Sequence, residues 1–167
     1  RAGCIRVLDL DELFRAAEVF AAQASFPGDR IAVLTNGGGL GVLAVDRLMD
    51  LGGNLAQLSR QTLEALDAVL PPTWSRANPV DIIGDATPDR YAKALACLMD
   101  DNGCDAVLVM NCPTGVSSSR EAAVAVIDAI KLMPDMHRKP VPIFACWLGM
   151  PDDQRKLFGD AGIACSC

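Results

Sequence analysis

The chain has 167 residues, of which 51% are hydrophobic and 22% charged, with a formal net charge of -6. This composition excludes a disordered chain, and the length suits one ordinary domain whose core folds without disulfides or metals. The only dense basic cluster is His137-Arg138-Lys139, which argues against a duplex-sized nucleic-acid footprint. The longest apolar runs, such as Ala106 to Met110, are too short to span a bilayer, and no signal-peptide pattern opens the chain. The expectation is therefore a cytoplasmic protein with neither nucleic acid nor membrane as partner.

Cys4 to Leu8 is a short apolar run, followed by Asp9 and, three residues later, Glu12, the spacing of an N-capping pair. Leu13, Phe14, Ala17, Val19, Phe20 and Ala21 then recur at helical spacing until Phe26-Pro27-Gly28. Residues 1–29 are read as a strand and linker helix appended to a domain that begins at residue 30. Ile31 to Leu34 is a continuous apolar run typical of a strand covered on both faces, and it ends in Thr35-Asn36-Gly37-Gly38-Gly39. Leu40 to Leu51 carries a helical stripe closed by Gly52-Gly53, so strand, glycine loop and helix come in direct succession.

A second strand is predicted over Asn54 to Leu58 and a helix over Thr62 to Val69, stopped by Pro71-Pro72. Asn78 to Ile83 reads as extended or loop, because a residue before proline avoids the α region. Pro88 introduces a helix over Tyr91 to Met99. Asp105 to Met110 is a clear strand, Ser117 to Ser119 offer caps for a helix over Arg120 to Leu132, and Val141 to Trp147 is another strand. A helix from Pro151 to Phe158 and a strand from Gly162 to Cys165 complete the pattern. Alternating strands and helices with short links give an α/β fold, a parallel sheet of about five strands with helices on both faces over residues 30–167.

In such a sheet the first strand-to-helix turn, here Asn36-Gly37-Gly38-Gly39-Leu40-Gly41, is the usual phosphate position. Glycines let the backbone approach an anion, and the helix N-terminus supplies unpaired N–H groups and partial positive charge. Tight packing of helix on strand demands glycine equally well, so both readings stay open. No GK[ST] is present, which disfavours a nucleotide P-loop, whereas Gly39, Gly41 and Ala44 match GxGxxA. In a dinucleotide fold Arg60, standing where an acidic residue is expected, would point to NADP.

The seven cysteines lack paired CxxC knuckles and read as reduced, buried thiols, with no metal site. Cys112 at a strand end could act as a nucleophile but has no evident activating partner. His137, the only histidine, lies in a polar linker and reads as solvated. Trp74 and Trp147 read as core or interface residues. Asp46 is a solvent-facing carboxylate or one aimed into the site. Asp11 and Glu12, Asp100-Asp101 and Asp152-Asp153 read as helix-end or hydrated charges.

The segments GCIRVLDLDELF, RIAVLTNGGGLGVLAVDRL, ANPVDIIGDATPDRY, CDAVLVMNCP and KPVPIFACW together resemble the NDP-forming acyl-CoA synthetases, relatives of succinyl-CoA synthetase. The resemblance implies a flavodoxin-like, three-layer, doubly wound sheet. It also implies a reaction in which acyl-CoA, ADP and phosphate interconvert with carboxylic acid, ATP and CoA through a phosphohistidine. In this family two flavodoxin-like domains each aim a helix N-terminus at that histidine, so the resemblance gives Asn36, Gly37, Gly38, Gly39, Leu40 and Gly41 a phosphate-stabilising role. Asn78 and Asp81 in NPVD would form the neighbouring loop at the site's edge.

The family's histidine loop would fall just before Arg1, making Gly3 to Val7 the last strand of a preceding domain. That strand is expected to pack separately or to pair with another copy as a homodimer. No catalytic residue is expected within the chain, which would bind phosphate alone. CoA, ADP or ATP and Mg would bind elsewhere in the parent enzyme, whose phosphohistidine, CoA-binding and ATP-grasp domains would be its partners. The alternatives are a regulatory synthetase-like region of a protein lysine acetyltransferase and an NADP- or flavin-binding domain.

Overall fold

The computed structural model describes residues 5–22, 28–132 and 141–166. Helix α1 spans Leu10–Ala22, and a strand β1 over Arg30–Thr35 leads into α2, Gly38–Asp50. Two short strands, β2 at Asn54–Leu55 and β3 at Val80–Asp81, flank α3 at Arg60–Val69. The chain continues through α4 (Pro88–Met99), β4 (Ala106–Asn111), α5 (Ser119–Leu132), β5 (Ile143–Trp147), α6 (Asp152–Asp160) and β6 (Ala164–Ser166). His137 lies outside the described residues, as do residues 1–4.

All strand pairs are parallel, in the order β2-β1-β4-β5-β6, with β3 also paired to β1. The six strands thus fill five positions. β2 covers Arg30 and Ile31 at the start of β1, and β3 covers Leu34 and Thr35 at its end. Asn78 bridges the gap between them. Its Oδ1 accepts the Val33 N–H at 2.9 Å, while its Nδ2 donates to the carbonyls of Ile31 at 3.0 Å and Ala56 at 2.9 Å. An amide side chain offers one acceptor and two donors, so it can replace a missing stretch of strand backbone.

One sheet face is the main core. Ala32, Leu34, Val107, Val109, Ala145 and Trp147 pack there against Leu66 of α3, Tyr91 and Leu95 of α4, Val126 of α5 and Phe158 of α6. Trp147 is fully buried, stacks at a tilt on Phe158 with centroids 5.0 Å apart, and donates its indole N–H to the Ser119 carbonyl. Trp74 is buried as well, with its N–H given to Asp67. The opposite face, bearing Val33, Leu108, Met110, Phe144 and Cys146 by strand alternation, lies under α2 and α1.

Several local expectations change. No strand forms over residues 5–8, the described part of the run read as Cys4 to Leu8, where no neighbouring strand offers a ladder. Asp9 does cap α1, accepting the Glu12 N–H at 2.8 Å. Residues of NPVD supply a short strand and not only a loop, preceded by a cis Asn78–Pro79 peptide. Asp101, read as a helix-end or hydrated charge, is buried just beyond the end of α4. It accepts the N–H groups of Ser59 and Gly103 at 2.8 and 2.6 Å, tying the start of α3 to the turn before β4. Burial pushes its carboxyl up, but the bonds from Thr62, Ser59 and Gly103 outweigh this and leave it below the ordinary range.

Candidate functional site

Helix α2 starts at Gly38, two residues before its apolar stripe, so the glycines form its first turn. The turn into it is fixed from below. Thr35, fully buried, accepts the Gly37 N–H on its hydroxyl at 3.0 Å. Asn36, also buried, accepts the Cys112 N–H at 2.7 Å and donates to the Cys112 carbonyl at 2.9 Å, prolonging the β1–β4 ladder beyond Thr35 and Met110. The Asn36 and Asn78 side chains are therefore both committed to backbone partners.

No side chain caps α2, since its N-cap is Gly37. The N–H groups of Gly38, Gly39 and Leu40 open the helix, and the Gly37 N–H is already used by Thr35. Such an end carries orphan donors and partial positive charge, which favour an anion.

The glycines differ in what excludes a side chain. A Cβ at residue 37 would stand 2.5 Å from Cys112 Sγ, one at 38 would meet Asp81 Oδ2 at 2.6 Å, and one at 41 would meet Thr35 Cγ2 at 2.8 Å and Pro79 Cβ at 3.3 Å. At Gly39 nothing lies within 4 Å, and this glycine is exposed. Packing thus accounts for Gly37, Gly38 and Gly41, while only Gly39 faces open space.

Asp81 sits beside this end. Its Oδ1 accepts the Ile83 N–H at 2.9 Å, and its own N–H donates to Ser75 Oγ at 3.0 Å. Ile83 has φ 69, a left-handed conformation unusual for a β-branched residue, and Asp81 holds it there. Arg90 donates to the Ile82 carbonyl and pairs with Asp85, fixing the same loop. Loops after β1, β3 and β4 converge here, with Gly84 within 4.0 Å of both the Asn36 carbonyl and Thr114 if given a Cβ. This is the carboxyl edge where β1 exchanges its neighbours, the usual place for a ligand in an open parallel sheet.

Cys112 does not act as an activated thiol. Burial first, and then the Asp81 charge, push its pKa up, away from a reactive thiolate. Asp46 is exposed. Arg60 is exposed and bonded to Glu64 at 2.8 Å. β2 ends at Leu55 opposite Ile31, well short of the glycine turn, so the second strand does not bring Arg60 to a dinucleotide's ribose. A groove of about 470 Å³ lies between α3 and α4 near Ser59, Thr62 and Asp101, at the amino edge of the sheet and away from the glycine turn. Among the described residues no group of three or more His, Cys, Asp or Glu comes together to hold a metal, and no helix is long and apolar enough to cross a membrane.

The structure brings the glycines, Asn78 and Asp81 to one edge of the sheet, together with Thr35, whose hydroxyl shapes the turn and which sequence reasoning did not single out. Its only signal was a threonine at the end of an apolar strand.

Comparison with known proteins gives the site a setting. The chain is 34% identical to an acetate–CoA ligase (ADP-forming) I of Archaeoglobus fulgidus, over 76% of this chain and 18% of that protein. It is also 34% identical to the alpha subunit of an acetate–CoA ligase (ADP-forming) II of Pyrococcus furiosus, over 78% of this chain and 29% of that one. Among solved structures, acetyl-coenzyme A synthetase 1 of Candidatus Korarchaeum cryptofilum, in complex with phosphate and ADP, superposes with a TM-score of 0.84 at 27% identity. That match covers 95% of this chain and 34% of the other. A protein of Pyrococcus horikoshii OT3, PH0766, gives 0.86 at 28% identity, covering 96% and 37%. The chain spans well under half the length of each of these proteins. The Ligase-CoA domain model matches residues 31–141, from β1 through the glycine turn and beyond α5, and the chain belongs to that family.

Proposed function

We propose that this chain is one domain of an NDP-forming acyl-CoA synthetase, which interconverts acyl-CoA, ADP and phosphate with a carboxylic acid, ATP and CoA. Its glycine turn holds the phosphoryl group carried by a histidine of another domain. The carrying observation is the uncapped start of α2, with the N–H groups of Gly38, Gly39 and Leu40 at the carboxyl edge of the sheet and Gly39 facing open space. The names of the relatives and their shared fold support the reaction class.

In this reading the domain acts by electrostatics alone. Fixed N–H dipoles stabilise the charge on a phosphoryl group in transit and need no reorganisation when it arrives. A helix end contributes about 0.3 to 1 kcal/mol to an exposed anion and up to roughly 2 kcal/mol when partly buried, so free phosphate binds weakly. A phosphoryl group tethered on a protein loop binds better, because tethering raises its effective concentration. Of the six residues from Asn36 to Gly41, the role rests on the backbone of Gly38, Gly39 and Leu40, while Asn36, Gly37 and Gly41 shape the turn. Asn78 aligns the strands at the site's edge. The phosphohistidine, the CoA site and an ATP-grasp site with its nucleotide and Mg2+ belong to other domains of a cytoplasmic enzyme. Residues 30–167 form the ligase domain, and residues 1–29 link it to its neighbour.

The test uses the full-length enzyme. Gly39→Val adds bulk where nothing else touches and is expected to cripple histidine phosphorylation while leaving CoA affinity unchanged. Normal phosphorylation in the folded variant would reduce the turn to a packing device.

A further inference from the structure

Resting on the reading of the glycine turn as a phosphoryl site, we infer that Asp81 sets its specificity. By this inference Asp81 Oδ2 accepts a hydrogen bond from the bound group, so the site takes a phosphoryl group that brings a donor with it and rejects anions that bring none. Oδ1 is occupied by the Ile83 N–H, which fixes the carboxylate's orientation. Oδ2 is directed at the first turn of α2, 2.6 Å from where a Cβ on residue 38 would lie, so glycine at 38 makes room for this carboxylate. Asp81 joins none of the ion pairs among the described residues. Its charge also reaches the Cys112 thiol, which it helps to push up.

The site therefore presents backbone donors and one anionic acceptor side by side. The complementary ligand offers acceptor oxygens next to a hydrogen-bond donor. Hydrogen phosphate meets this with its P–OH, and a phosphoimidazole meets it when its second ring nitrogen carries a proton. Sulfate and monofluorophosphate, both without a proton at neutral pH, would set an oxygen or fluorine lone pair against a carboxylate. A charged hydrogen bond gained in one case and a repulsion in the other separate the two groups of anions by about tenfold or more.

The experiment titrates the 167-residue chain with sodium phosphate, sulfate and monofluorophosphate at equal ionic strength, following the amide resonances of Gly38, Gly39 and Leu40. Phosphate is expected to shift these amides with at least about tenfold higher affinity than the other two. In Asp81→Asn, which keeps an oxygen to accept the Ile83 N–H, phosphate weakens, sulfate strengthens and the ratio falls towards one. The wild-type comparison needs no variant, so a folding defect in Asp81→Asn cannot hide the answer. Equal affinity for all three anions at these amides overturns the role of Asp81 while leaving the phosphoryl site standing. A ratio that survives in folded Asp81→Asn also overturns it. Absence of any shift with any anion overturns the glycine-turn reading and this inference together.

Discussion

At the scale of single residues, Gly37, Gly38, Gly39 and Gly41 carry different duties although they stand almost side by side. Gly41 is buried and a Cβ there would meet Thr35 and Pro79, whereas Gly39 meets nothing. Gly41→Ala is expected to cost about 1–3 kcal/mol, because the helix must lift from β1 to admit the methyl group. Gly39→Ala should leave stability unchanged or raise it by up to about 1 kcal/mol, since alanine restricts the unfolded chain and favours helix. Urea denaturation of the two variants checks this, and equal losses would contradict the distinction.

Asp105 offers a second residue-level prediction. It accepts from Nε and Nη2 of Arg30, both at 2.8 Å, and from the Arg30 N–H at 3.0 Å, and these bonds hold its carboxyl well below the ordinary range. A carboxyl depressed in the folded state stabilises above its unfolded pKa of about 3.9 and loses that contribution as pH falls further. Stability is thus expected to decline from about pH 4 downward. Asp105→Asn should flatten this limb, which thermal melts across the acid range would read. An unchanged slope would mean that other carboxylates dominate it.

At the scale of elements, α1 precedes the stretch that the family model matches, and it lies over the face that α2 leaves partly open. Arg15, Glu18 and Val19 of α1 line a hollow of about 110 Å³ with Leu108, Phe144 and Cys146 of the sheet. Strands β4 and β5 read as apolar runs without alternation, and such a run needs cover on both faces. Removing residues 1–22 is expected to leave the rest of the sheet folded, because its main core is on the other face. It should also expose Leu108, Phe144 and Cys146. Faster labelling of Cys146 by a thiol reagent, located by mass spectrometry, is the readout. Unfolding of the truncated chain would show instead that α1 is integral to the domain. Beyond α1, the outer sides of α2 at Val42, Leu43 and Met49 are apolar and exposed, surfaces that the proposed multidomain enzyme would cover.

At the scale of the whole molecule, the sheet order decides where chemistry can occur. β1 has β4 on one side and β2 followed by β3 on the other, so the loops after β1, β3 and β4 meet at one edge. The groove between α3 and α4 opens at the other edge, where Asp101 uses its oxygens to join α3 to the β4 turn. The glycine turn, by contrast, presents the bare end of a helix. Its shape suits a group delivered on another protein segment better than a small molecule that must be enclosed.

Apart from the opening strand, which does not form, and β3, which reads as extended or loop, the order of elements, the parallel sheet and the position of the glycine turn are legible in the linear chain. Those features depend on local signals: apolar runs for covered strands, proline and glycine for breaks, and glycine where a helix must begin close to a strand. What each polar residue bonds is not legible there. Asn36 and Asn78 look like site residues in the linear chain, yet in the fold each replaces missing strand backbone at opposite sides of β1. Asp101 reads as a helix-end or hydrated charge and is buried. Tertiary contacts alone assign these roles, because a hydrogen-bond partner 40 or more residues away leaves no periodic trace, and because one open glycine among packed ones is a matter of neighbours brought together by the sheet.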